Sequence, residues 1–112
     1  MNTKAYAFDI DGVICETKSS DYKSSVPNKK AIKKINELFD KGNEIIIFTA
    51  RYMGRTNNDI NKAKELGYNS TLIQLKNWGL KFNKLIFGKP SFDLLIDDKA
   101  FNYSDKWISD LY

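Results

Sequence analysis

Histidine is absent from all 112 residues, cysteine occurs once and proline twice. Without histidine, mechanisms built on an imidazole base are excluded, as are zinc sites that need imidazole ligands. The single cysteine, Cys15, cannot form an internal disulfide, which fits a reducing compartment. No apolar run approaches the ~20 residues of a membrane span, and Met1–Lys4 leads into a strand without a basic-then-apolar leader. The expectation is a cytoplasmic protein with no membrane partner. There is no internal repeat and no low-complexity tract. Nor is there a basic stripe interleaved with aromatics, so no nucleic-acid face is expected. Arginine is scarce as well: of eighteen basic residues only Arg51 and Arg55 are arginine.

Apolar residues make up 42% of the chain and charged residues 29%. That argues for one soluble domain, 1–112, with its own core. The net charge of +4 suits an anionic substrate, although lysine-rich surfaces mostly serve solubility.

The chain is organised around its first apolar run, Ala5–Phe8, which leads into Asp9-Ile10-Asp11-Gly12. Such a run ended by turn residues reads as a buried strand. In open parallel sheets, ligands bind beyond the carboxyl ends of the strands. Two carboxylates are therefore expected at that edge. Val13–Val26 is polar and serine-rich and reads as a loop or small flap, whose Lys18 and Lys23 could meet an anion or simply be solvated.

Pro27-Asn28 starts a helix whose Ala31, Ile32, Ile35, Leu38 and Phe39 share one face, and Gly42 stops it. Glu44–Phe48 is a second strand, apolar on both faces and ending in Thr49-Ala50-Arg51. Strand, helix and strand form one right-handed crossover unit, which brings Thr49 beside Asp9. Tyr52–Asn58 reads as a loop. Ile60–Leu66 is a short helix with Gly67 as its stop, and Ser70 or Thr71 opens a better one with Leu72, Ile73, Leu75 and Trp78 as its apolar face. Leu85–Phe87 and Asp93–Ile96 are further strands, flanking Gly88-Lys89-Pro90 and followed by Asp97-Asp98. The aromatic tail Phe101–Tyr112 forms a last helix on the sheet or on another subunit.

The strand ends thus carry Asp9, Asp11, Thr49 and Asp97-Asp98, with Lys89 in the loop before the last strand. A carboxylate cluster can hold magnesium together with substrate phosphate oxygens. A carboxylate can attack phosphorus, and Lys89 and Thr49 can offset the repulsion between anions. A second carboxylate beside the first can serve as acid and then base. Each residue alone has an ordinary reading as a turn, cap or solvated lysine. Their joint order within one domain does not.

The motifs DIDGV (9–13), IIIFTAR (45–51), GKP (88–90) and DLLIDD (93–98) resemble the four motifs of the haloacid dehalogenase-like (HAD) superfamily. The resemblance implies a three-layer Rossmann-like α/β fold with a mainly parallel sheet of about four to five strands and, at this length, no cap domain. It implies Asp9 as nucleophile, Asp11 as general acid/base, and Thr49 and Lys89 as phosphate partners, with Ala50 as a further candidate for substrate binding. Arg51 and Arg55 are candidates on their own chemistry: both leave the Thr49 strand end, and a planar fork there either contacts the substrate or the flap, or ties loop backbone and carboxylates together. Magnesium would be held by Asp9, Asp11, Asp97 and Asp98, with the main-chain carbonyl of Ile10 completing the site. Asp11 points to the phosphatase branch. The chain is similar to small bacterial phosphatases of capsule and surface-polysaccharide synthesis, and to 3-deoxy-D-manno-octulosonate 8-phosphate phosphatases, whose neighbouring subunits cover the site. The implied activity is hydrolysis of a small phosphorylated sugar, polyol or amino alcohol, by a possible homo-oligomer. The alternatives are a receiver-like signalling domain and a phosphatase acting on nucleic-acid ends. A receiver, however, needs a phospho-accepting aspartate between the early acidic pair and Thr49, where only Asp21 and Asp40 stand, in a loop and on a helix.

Overall fold

A computed structural model describes residues 3–101, 103–104 and 106–111. Met1 at the expected leaderless start, and Asn102, Asp105 and Tyr112 of the expected tail helix, lie outside them. The main sheet has three parallel strands, β1 (Ala5–Phe8), β4 (Glu44–Thr49) and β5 (Lys84–Phe87), in the order β1-β4-β5. Phe8 pairs with Ile47, and Thr49 with Phe87. A two-stranded antiparallel ribbon, β2 (Cys15–Glu16) with β3 (Val26–Pro27), closes the flap into a hairpin around a 3-10 turn at Tyr22–Ser24. The helices are α1 (Lys29–Asp40), α2 (Ile60–Asn77) and α3 (Trp107–Asp110). The protein is thus a small α/β fold. Its main sheet has three strands rather than four or five.

In register, Phe8, Ile45, Ile47, Thr49, Leu85 and Phe87 form one fully buried face. The helices lie on this face. Ile35 and Leu38 of α1, Ala63 and Leu75 of α2, and Trp107 of α3 join the same core cluster. The opposite face, with Ala7, Ile46, Phe48 and Ile86, is half-buried or exposed. The described residues therefore form two layers, not three.

α1 begins just past the expected Pro27-Asn28 start, with Pro27 in β3 and Asn28 as the N-cap. The Asn28 side chain accepts the Ala31 N–H at 3.1 Å, satisfying an orphan donor of the first turn. Gly42, at φ +93°, ends the helix with its N–H on the Phe39 carbonyl. The tail packs in the core: the Trp107 ring lies 5.8 Å from that of Phe8, and the Tyr103 hydroxyl donates to the Gly12 carbonyl at 2.8 Å.

Two expectations are corrected. First, α2 is one helix running through Gly67 rather than two helices separated by it. Its buried stripe is Ala63, Gly67, Thr71 and Leu75, and at Gly67 the helix comes close to the loop after β4. Tyr52, held at φ +65°, lays its ring where a Cβ on Gly67 would stand. Gly67 is therefore a notch for a ring, not a stop. Second, Asp93–Ile96 is not a strand. It pairs with neither free edge of the sheet and lies exposed, Leu94 at 77% and Ile96 at 90%. A short apolar run carries no periodicity that specifies its pairing partner.

An alanine at position 67 would gain helix propensity yet force the Tyr52 ring out of its seat. We predict that Gly67→Ala lowers stability by about 1–3 kcal/mol, read as a fall in thermal midpoint, instead of the gain an exposed helical glycine would give.

Candidate functional site

The β1 strand delivers Asp9 to its carboxyl end, and the next four residues wind into a tight turn. The Ile10 carbonyl accepts N–H bonds from Val13 (3.1 Å), Ile14 (2.8 Å) and Cys15 (3.3 Å). Gly12, at φ +86°, makes that turn possible. The carbonyl expected to complete a metal site is thus engaged in the turn. Asp9 Oδ1 accepts the Ile10 N–H at 2.8 Å, and Asp9 Oδ2 faces the Lys89 ammonium at 3.6 Å. Lys89 is positioned through its own N–H, which reaches the Thr49 carbonyl at 3.2 Å just beyond β5. Burial pushes the Asp9 carboxyl above its ordinary value of 3.8. Lys89 and the Ile10 N–H pull the other way, and the Asp11 charge adds to the rise.

Asp11 meets a different partner. Arg51 grips it with Nη2 on Oδ1 at 2.9 Å and Nε on Oδ2 at 3.0 Å, a bidentate fork. The Thr17 hydroxyl also donates to Oδ1. Arg51 is only 2% exposed. Its Nη1 donates to Gln74 Oε1 at 2.7 Å and to Thr71 Oγ1 at 3.5 Å on α2, and Nη2 reaches Ser25 Oγ at 3.5 Å. The Tyr22 ring lies 4.7 Å from its guanidinium carbon. Of its two expected roles, Arg51 takes the structural tie. Thr49 is fully buried, and its Oγ1 accepts the Arg51 N–H at 3.1 Å. Cys15 is buried as well, and burial raises its thiol above the ordinary value of 9.0, as suits a packing residue.

A cleft of about 570 Å³ opens over Asp9, Asp11 and Arg51, while Thr49, Lys89 and Cys15 are not in its lining. Asp9, Asp11, Thr17, Ala50 and Arg51 line one part of it. Ser20, Tyr22, Gly54, Arg55 and Ser91 complete the lining. Lys18 and Lys23 are exposed and do not line it. Thr17, Tyr22, Ser25, Thr71 and Gln74 were not expected at the site. Tyr22 had a signal, as the only aromatic residue in Val13–Val26. Thr71 and Gln74 had none, because their role depends on α2 being continuous.

The acidic pair is placed differently from expectation. Asp97 and Asp98 are exposed and do not join Asp9 and Asp11. Asp97 accepts the Lys99 N–H at 2.9 Å, a bond that lowers its carboxyl below the ordinary value. Among the described residues, no group of three or more His, Cys, Asp or Glu side chains could hold a metal ion. Of the carboxylates expected to hold magnesium, Asp9 and Asp11 line the cleft, and Asp97 and Asp98 do not.

No protein-family model matches the chain, and no curated protein does either. Among solved structures, the fold is similar to that of a structural-genomics target from Vibrio cholerae. The TM-score is 0.82 at 24% identity, covering 97% of this chain and 96% of that one. This likeness extends over the full chain and speaks to the fold alone. No helix of the described residues is long and apolar enough to cross a membrane.

The raised carboxyl of Asp9 gives a direct check. Followed by carbon-detected NMR, Asp9 should titrate above 3.8, and Lys89→Met should move it higher still, because the ammonium that favours the ionised form is gone. A midpoint at or below 3.8 contradicts the burial of Asp9, and a downward move in the variant contradicts the placement of Lys89.

Proposed function

We propose that the protein is a small capless phosphatase of the HAD type, hydrolysing a phosphorylated sugar, polyol or amino alcohol through an aspartyl-phosphate on Asp9. The observation that carries this reading is the Asp9–Lys89 pair at a strand end, 3.6 Å apart, with Asp9 in the wall of the cleft. A carboxylate nucleophile must approach an anionic phosphate, and an ammonium at this distance offsets part of the repulsion. An Asp9 oxygen attacks phosphorus, the P–O ester bond breaks, and the leaving oxygen takes a proton from Asp11. Water then attacks the phosphoryl group and gives a proton back to Asp11. The P–O bond to Asp9 breaks, and inorganic phosphate leaves. Before the first step Asp11 must hold a proton, although Arg51 already donates to both its oxygens. Asp11 Oδ2, met only by Arg51 Nε, is the oxygen with room to exchange it. Thr49, fully buried and outside the cleft lining, serves the site by accepting the Arg51 N–H on its Oγ1.

The same reading gives the sheet a fourth strand. β1 has a strand partner on one side only, while Asp93–Ile96 is apolar and uncovered. Docking this segment parallel to the free edge of β1 satisfies both and brings Asp97 and Asp98 beside Asp9, supplying the carboxylates magnesium prefers. A cytoplasmic location and a role in surface-polysaccharide synthesis belong to this proposal.

The protein is expected to hydrolyse a generic aryl phosphate only with magnesium present, and Asp9→Asn to lose about 10²-fold or more in turnover. Asp97→Asn should raise the magnesium concentration needed for half-maximal rate. Stoichiometric phosphorylation without turnover would instead favour a receiver domain. An unchanged magnesium requirement in Asp97→Asn would rule out the docked strand.

A further inference from the structure

The cleft is lined by two cations, and only one of them is spent. Arg51 is buried and its fork is taken up by Asp11, Gln74 and Thr71. Arg55 is exposed and has no carboxylate partner among the described residues. One N–H of its guanidinium, on Nη2, donates to the Ser20 carbonyl at 3.1 Å. Two aromatic rings hold the group: that of Tyr52 lies 4.7 Å from the guanidinium carbon and that of Tyr22 lies 5.3 Å from it. The two rings themselves meet edge to face at 4.8 Å. Tyr22 is fixed in turn by Gln74, whose Nε2 donates to its carbonyl at 2.7 Å.

This is an unusual way to leave an arginine. Rings and one carbonyl hold it, yet several of its N–H donors have no acceptor among the described residues. Arginine bound in this way loses little freedom on meeting an anion, and its fork suits a carboxylate or phosphate. Its cleft neighbours, Ser20, Gly54 and Ser91, are small or hydroxylated, which suits a body bearing hydroxyl groups rather than an apolar one. At about 570 Å³, the cleft has room for more than a phosphate group.

We infer that Arg55 is a specificity-determining residue that binds a second anionic group of the substrate, away from the phosphate at Asp9 and Lys89. The substrate is then a phosphate ester with a hydroxylated body and a second carboxylate or phosphate. This rests on the phosphatase reading for the position of the first phosphate, but it is tested by binding and needs no turnover.

The experiment compares alkyl phosphonates with ω-carboxyalkyl phosphonates and alkylene bisphosphonates of matched and increasing chain length. Binding is measured by calorimetry in magnesium buffer to the wild type, Arg55→Gln and Arg55→Lys. In the wild type, a carboxylate or second phosphonate at the right length should tighten binding roughly tenfold over the matched alkyl phosphonate, the scale of one charge-assisted contact. Arg55→Gln should erase that gain and leave the alkyl phosphonates unchanged, while Arg55→Lys should keep part of it. Whichever of the two anions shows the gain is the one the site takes. If no chain length shows a gain in the wild type, or if Arg55→Gln keeps it, the inference is overturned. Failure of the phosphatase reading looks different: the aryl phosphate is not hydrolysed, yet the Arg55-dependent gain persists.

Discussion

The fork between Arg51 and Asp11 is the constraint on which the site depends. Asp11 belongs to the turn after β1, and Arg51 to the segment leaving β4. The other contacts of Arg51 reach α2 through Gln74 and Thr71 and the flap through Ser25 and Tyr22. One buried side chain therefore joins the turn after β1, the flap, the segment leaving β4 and α2. Burying a guanidinium is costly unless its donors are satisfied, and here carboxylate, amide and hydroxyl acceptors surround it. No buried side-chain nitrogen or oxygen among the described residues lacks a partner. A lysine could supply the charge but not five donors in a plane.

This arrangement divides labour between the two carboxylates at the end of β1. Asp11 is clamped and belongs to the scaffold as much as to the cleft. Asp9 is held more loosely, with one N–H on one oxygen and an ammonium near the other, in surroundings that oppose its ionisation. A partly desolvated carboxylate beside a lysine is the more reactive of the two, which is why the proposed chemistry begins there. The two arginines differ in the same way: one is consumed by the fold, and the other stands at the cleft with donors to spare.

Much of this was legible in the sequence, and the reasons differ by element. The apolar run before Asp9, the helical spacing from Ala31 to Leu38 and the run before Thr49 carry strong local patterns, and they became β1, α1 and β4. Lys89 reached Asp9 because a strand of the right length precedes it. Gly67 misled because a helical glycine can mean either a stop or a close approach. Only the Tyr52 ring, distant in sequence, decides between them. Asp93–Ile96 is apolar enough for a strand, but four residues without periodicity do not name a partner, and in this structure none is made. The commitment of Arg51 to Asp11 lay beyond sequence reading, since it requires the flap, α2 and both strand ends to converge at one point.

The most direct test of the account is the removal of that fork. Arg51→Met keeps the length and apolar stem of the side chain but deletes every donor, leaving Asp11 and Gln74 without their partner. The account predicts a loss of about 1–3 kcal/mol in stability, softened by the partial exposure of Asp11 to water. With it should come faster amide hydrogen exchange in the 13–26 flap and in the Asp11 turn, while the far end of α1 is unchanged. If stability and flap exchange both match the wild type, the pair does not hold the site together, and the account is wrong at its centre.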